Sequence, residues 1–129
     1  MKVKLGMRPK NFKRTVKFPM LDGTEGVIEV VFKYRTRTEF GKFIDDMMNA
    51  ANEQADGQTA EDQRVSLGRA LEKTKEANAD YILQIAEGWN LEESFDRDNL
   101  AQLCDEIPGA AMAIMDVYRA AIVEGRMGN

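Results

Sequence analysis

Ile107 to Gly125, IPGAAMAIMDVYRAAIVEG, constrains the fold more than any other stretch. Pro108 suits a first helical turn, where a missing N–H has no partner to lose. Gly125 suits the residue just past a helix end, where the chain often turns left-handed. Between them Ala111, Ile114, Met115, Tyr118, Ala121 and Ile122 recur at the i, i+3, i+4, i+7 spacing of one helix face. Stepping about 100° per residue, Met112 and Val123 fall on one flank of that stripe and Val117 on the other. Only Asp116, Arg119 and Glu124 are polar. A surface helix needs an apolar stripe a little over about 100° wide, and this one is much wider. Such a helix is surrounded by its own domain, covered by a neighbouring subunit, or held ready for a partner. The sequence favours the last two, because a chain this short has little with which to hide it.

With 129 residues the chain supports one modest core. Apolar residues at 43% against charged residues at 31% describe a globular chain, not a disordered one. No apolar run approaches the roughly 20 residues that span a bilayer. The opening MKVKLGMRPKNFKR is basic, with no apolar segment behind it to serve as a secretory signal. Cys104 is the single cysteine, so no internal disulfide can form, and a reducing cytoplasm is the expected setting. Its helical spacing reads as a small core residue. The net charge of −4 hides an asymmetry. Residues 1–37 carry ten Lys/Arg against Asp22, Glu25 and Glu29, a net +7, and the rest carry eight against nineteen acids, a net −11. Such blocks serve nucleic acid, attract copies head to tail, or simply solvate two faces.

In chain order, residues 1–11 read as a flexible basic arm and residues 12–125 as one domain. Phe12, Val16, Phe18 and Met20 alternate with Lys13, Thr15 and Lys17, which is strand periodicity. Leu21 to Gly26 supplies a turn, and Ile28, Val30, Phe32 and Tyr34 mark a returning strand, giving a hairpin over 12–35. Two strands alone are marginal in water, so the hairpin must lean on helices or on another subunit. Thr36-Arg37-Thr38-Glu39 is a capping box opening a helix over about 37–53, with Phe40, Phe43, Ile44 and Met47 on one stripe. Asn52 to Gln58 reads as a mobile loop, with a new helix start near Thr59–Asp62. Further helices are expected over about 61–87, 97–106 (capped by Asp96) and 108–124, with a tail at 126–129. The layout is α+β, mostly α: an N-terminal hairpin followed by a bundle of four to five helices.

The usual reactive groups are missing. The chain has no histidine, the commonest general base and metal ligand, and one cysteine cannot build a thiolate zinc site. No phosphate-binding glycine motif occurs. Asp45 and Asp46 are adjacent, so on a helix they diverge by about 100° and cannot share a proton. Asp96 to Asn99 lacks the glycine and terminal glutamate of a calcium loop. No catalytic, cofactor or metal site is therefore expected. A nucleic-acid reading rests on the arm, with Lys2, Lys4, Arg8 and Lys10, and on helices 97–106 and 108–124 as a helix-turn-helix. Yet the second of these has one basic residue, Arg119, and the first carries Asp98, Asp105 and Glu106, which phosphates repel. Protein binding fits better. Methionines are frequent at eight, and flexible thioethers suit surfaces that accept varied apolar shapes. The candidate partner-binding and oligomer residues are Met48, Met112, Met115, Val117, Arg119 and Val123.

The run ILQIAEGWNLEESFDRDNLAQLCDEIPGAAMAIMDVYRAAI resembles the tail assembly chaperones of long-tailed bacteriophages and prophages. The features that carry this are Ile85 and Trp89 before a loop, Phe95 with the capped Asn99-Leu100-Leu103 helix, and Pro108-Gly109 opening a helix that contains Tyr118. The resemblance covers roughly residues 12–124 and is most specific over 82–122. It implies a non-enzymatic protein that self-associates and coats the helical tape-measure protein until the tail tube polymerises. It also implies a setting in the host cytoplasm, absence from the mature virion, and the major tail tube protein as a further candidate partner. Many such proteins have a second, frameshifted form. The resemblance brings no catalytic residues. A small nucleic-acid-binding or regulatory domain using the basic arm is the alternative, and a structural tail component is a third.

Overall fold

The computed structural model describes residues 2–56 and 67–125. Strands β1 (Asn11–Pro19) and β2 (Glu25–Lys33) form the hairpin, α1 (Arg37–Asp56) and α2 (Leu67–Ile85) follow, then β3 (Ala86–Trp89), α3 (Arg97–Glu106) and α4 (Pro108–Glu124). The chain is α+β and mostly α. All pairing is antiparallel, in the order β1-β2-β3, with Val16 opposite Ile28 and Val30 opposite both Arg14 and Trp89. Helices cover one sheet face, onto which Val16, Phe18, Ile28, Val30 and Phe32 are buried. The other face carries Lys13, Thr15, Lys17 and Glu29 to solvent. The hairpin thus leans on its own helices.

The turn closes through Gly23 at φ 89, with the Gly23 N–H donating to the Met20 carbonyl and Asp22 accepting from Thr24 N–H at 3.0 Å. Gly26 is not part of that turn but lies in β2, opposite Phe18. A Cβ there would stand 2.4 Å from the Phe18 ring and 3.0 Å from the Met20 sulfur. The Phe18 ring is itself buried and cannot simply swing aside. Gly26→Ala is expected to destabilise the fold by about 1–3 kcal/mol, as overpacking does, read as a lower denaturant midpoint at unchanged slope.

Thr36 and Glu39 form the reciprocal box at the start of α1: Glu39 N–H donates to Thr36 Oγ1 at 3.1 Å and Thr36 N–H to Glu39 Oε1 at 2.9 Å. The helix continues through Asn52–Asp56, which had read as loop. Glu53, Gln54 and Ala55 are polar or small but good helix formers, and no breaker stands between Asn52 and Gly57. Gly57, Gln58, the Thr59–Asp62 start and the 126–129 tail lie outside the described residues. The next helix ends at Ile85 rather than 87, because Ala86–Trp89 pairs with β2 as a third strand that the helical pattern concealed. Asn90 extends that pairing, its N–H donating to the Glu29 carbonyl and its side chain accepting from Glu29 N–H. Arg97 then ties α3 to α2, with Nε on Asp80 at 2.7 Å and Nη2 on Glu76 at 2.6 Å.

Candidate protein-binding surface

α4 is built as its termini require. Pro108 sits in the first turn, and Gly125 closes the helix in the left-handed region at φ 67, its N–H donating to the Ala120 carbonyl. The helix packs on β1, β2, α1, α2 and α3, so its own domain encloses most of it. Ala110, Ala111, Ile114, Val117, Tyr118, Ala120 and Ile122 are all buried. The expectation that other chains must finish covering this helix is therefore corrected. Two layers, sheet on one side and helices on the other, bury the main stripe together with the Val117 flank and leave Met112 on the other flank exposed.

Tyr118 is the hub of this packing. Its ring lies 5.3 Å from Phe32, 5.7 Å from Phe40 and 6.1 Å from Phe12, centroid to centroid. The phenol donates to the Lys33 carbonyl at 3.0 Å and accepts from Arg35 Nη1 at 3.1 Å. Arg35 in turn lies 4.4 Å above the Phe43 ring. Burial pushes the Tyr118 phenol above its ordinary pKa, with Arg35 opposing, so the group stays protonated and keeps its donor role.

The six candidate residues divide. Val117 is 2% exposed and belongs to the core, not to a free surface, because its flank of α4 faces into the domain. Met115 and Val123 are half-buried against the core. Met112, 54% exposed, and Arg119, paired with Glu124 at 3.7 Å, stand outward. At i, i+4 and i+7, Met112, Asp116 and Arg119 form one outward stripe, which half-buried Val123 continues at i+11. Met48, 59% exposed, stands on α1 beyond the turns where Phe40 and Phe43 reach the core. Other exposed apolar side chains escaped the sequence reading: Val3, Leu5 and Met7 in the arm, Leu21 at the hairpin tip, and Leu67 and Leu71 on α2. Leu67 and Leu71 continue the stripe that ends in buried Ile82 and Ile85, so the first turns of α2 run beyond the core. The alternation Lys2-Val3-Lys4-Leu5 was the signal that could have marked the arm as more than a charge block.

Among the described residues no cluster of three or more His, Cys, Asp or Glu side chains is placed to hold a metal ion. Burial, aided by Glu76, pushes the Cys104 thiol up to about 11. A helix-turn-helix role for α3 and α4 finds little support in the exposed face of α4, which offers a groove one basic residue, Arg119, beside Asp116. No helix among the described residues is long and apolar enough to cross a membrane.

A family model described as phage tail assembly chaperone matches residues 1–129, the whole chain. The protein belongs to the phage tail assembly chaperone family. Comparison with curated proteins and with solved structures gave no match. Membership in a tail assembly chaperone family places the protein's role in building the phage tail and makes phage tail proteins its partners in general terms.

Proposed function

We propose that this chaperone is non-enzymatic, self-associates, and shields apolar helical segments of the tape-measure protein in the host cytoplasm before the tail tube polymerises. The observation that carries the reading is the placement of exposed thioethers. Met48 and Met112 stand exposed on two different helices, with Leu67 and Leu71 exposed on a third, and unbranched sulfur side chains adapt to varied apolar partners. The outward stripe of α4 offers Met112 and the edge of Val123 beside Asp116 and Arg119, an apolar strip with a charged rim suited to helix-on-helix contact. A long client with repeated segments gains by avidity when several copies bind together, which favours an oligomer. The major tail tube protein is a further candidate partner at the hand-over, and the mature virion is expected to lack the chaperone.

The test uses a labelled apolar helical segment of the tape-measure protein and fluorescence anisotropy. Met48→Glu and Met112→Glu are each expected to weaken binding about tenfold, roughly the loss of one buried apolar side chain. Both positions face solvent, so the melting temperature should stay close to that of the parent chain. Unchanged affinity in both variants would overturn the surface assignment. Recovery of the protein in purified virions would instead identify a structural tail component.

A further inference from the structure

We infer that the N-terminal arm of one copy adds as a strand to the free edge of β3 in a second copy. This rests on the self-association proposed above and names the segment and the edge that produce it. In the arm, Lys2–Leu5 alternates basic and apolar side chains, and Val3 and Leu5 are 88% and 96% exposed. Arg8 fixes where the arm leaves the domain, lying 5.4 Å over the Tyr34 ring and pairing with Glu39. Residues 2–7 beyond that anchor can reach about 20 Å when extended. Gly6, at φ 86, provides a bend between the anchor and the four-residue strand.

The sheet offers two edges, and their chemistry differs. The β1 edge carries Lys13 and Lys17 outward, Arg14 on the core-facing side and Pro19 at its end. Lysines, inward charges and proline are how natural sheets refuse a further strand, and the arm shares their sign. The β3 edge has none of these. Among the described residues β3 packs only on β2 and α2, leaving its outer side without a strand or helix. It is four residues long, as is Lys2–Leu5. Glu87 lies on β3, its carboxylate accepting from the Asn11 side chain, and Glu92 and Glu93 lie just beyond the strand, all exposed, so Glu92 and Glu93 are the acids near which Lys2 and Lys4 would run. Trp89 and Leu91 pack against the core and are half-buried, Trp89 edge-on to Phe95 with its indole N–H donating to the Glu93 carbonyl, and the part of them still open is the apolar surface that Val3 and Leu5 would meet. Backbone hydrogen bonds supply affinity in such strand addition, and alternate side chains supply register. The contact joins two unlike patches, so it is heterologous and each added copy exposes a fresh β3 edge.

Sedimentation velocity of the full chain over a concentration series tests this. Val3→Asp with Leu5→Asp, and separately Lys2→Glu with Lys4→Glu, should each raise the dissociation constant at least about tenfold. Glu92→Lys with Glu93→Lys should do the same, and combining those with Lys2→Glu and Lys4→Glu should restore association. Full association in the arm variants would overturn the inference. A disulfide test adds geometry: Val3→Cys chains mixed with Gly88→Cys chains should form a covalent pair. Gly88 tolerates the change because no atom stands within 4 Å of its added Cβ. A bond formed solely within a chain carrying both substitutions would overturn pairing between copies. A chain monomeric at every concentration would remove self-association as well, while anisotropy with the tape-measure segment would still decide the client reading by itself.

Discussion

Tyr118→Ala is expected to lower stability by about 3–5 kcal/mol, a large share of the roughly 5–15 kcal/mol that holds a domain of this size folded. The side chain is fully buried, and its ring joins β1, β2 and α1 to α4 through Phe12, Phe32 and Phe40. Removing it leaves a cavity at the meeting point of both layers. It also strands the Lys33 carbonyl and Arg35 Nη1, which lose the phenol that served both. Tyr118→Phe separates these effects. It keeps the ring and removes only the hydroxyl, so a loss of about 1–2 kcal/mol is expected. Urea unfolding followed by far-UV circular dichroism measures both. A Tyr118→Phe loss as large as that of Tyr118→Ala would show that the hydrogen bonds, not the ring, dominate.

Val117→Glu should do more damage still, leaving the chain largely unfolded, while Met112→Glu should leave its stability within about 0.5 kcal/mol of the parent. The two residues are five positions apart on one helix and look alike on a hydropathy scale. Val117 is enclosed, and a carboxylate there would have to lose its water. Met112 faces solvent, where a glutamate costs little. Thermal unfolding distinguishes them at once. Equal loss in both would mean that α4 is packed in a different rotation about its axis.

That contrast also shows what the sequence can carry. The ends of α4 were legible because Pro108 and Gly125 act through local backbone geometry, and the start of α1 because Thr36 and Glu39 satisfy each other within four residues. The hairpin was legible from period-two alternation. Which side of α4 is covered was not, because a helix apolar nearly all round has no preferred face until its neighbours are placed. Val117 was grouped with the partner surface for that reason. The third strand was missed because Ala-Glu-Gly-Trp has no alternation and follows directly on a strong helical stripe; its pairing partner lies over fifty residues earlier in the chain. The candidate site was half legible: outward Met48 and Met112 could be suspected from the wheel, whereas the exposed apolar residues of the arm were masked by the charges between them.

The burial of Cys104 has a consequence for a protein read as gathering in many copies along one client. With its thiol pushed up to about 11, roughly one molecule in ten thousand carries the reactive thiolate at neutral pH. Neighbours crowded side by side therefore present almost no thiolate with which to form a disulfide between copies. A contact between copies without that bond can come apart again, as it must if the proposed coat is to be shed when the tube arrives.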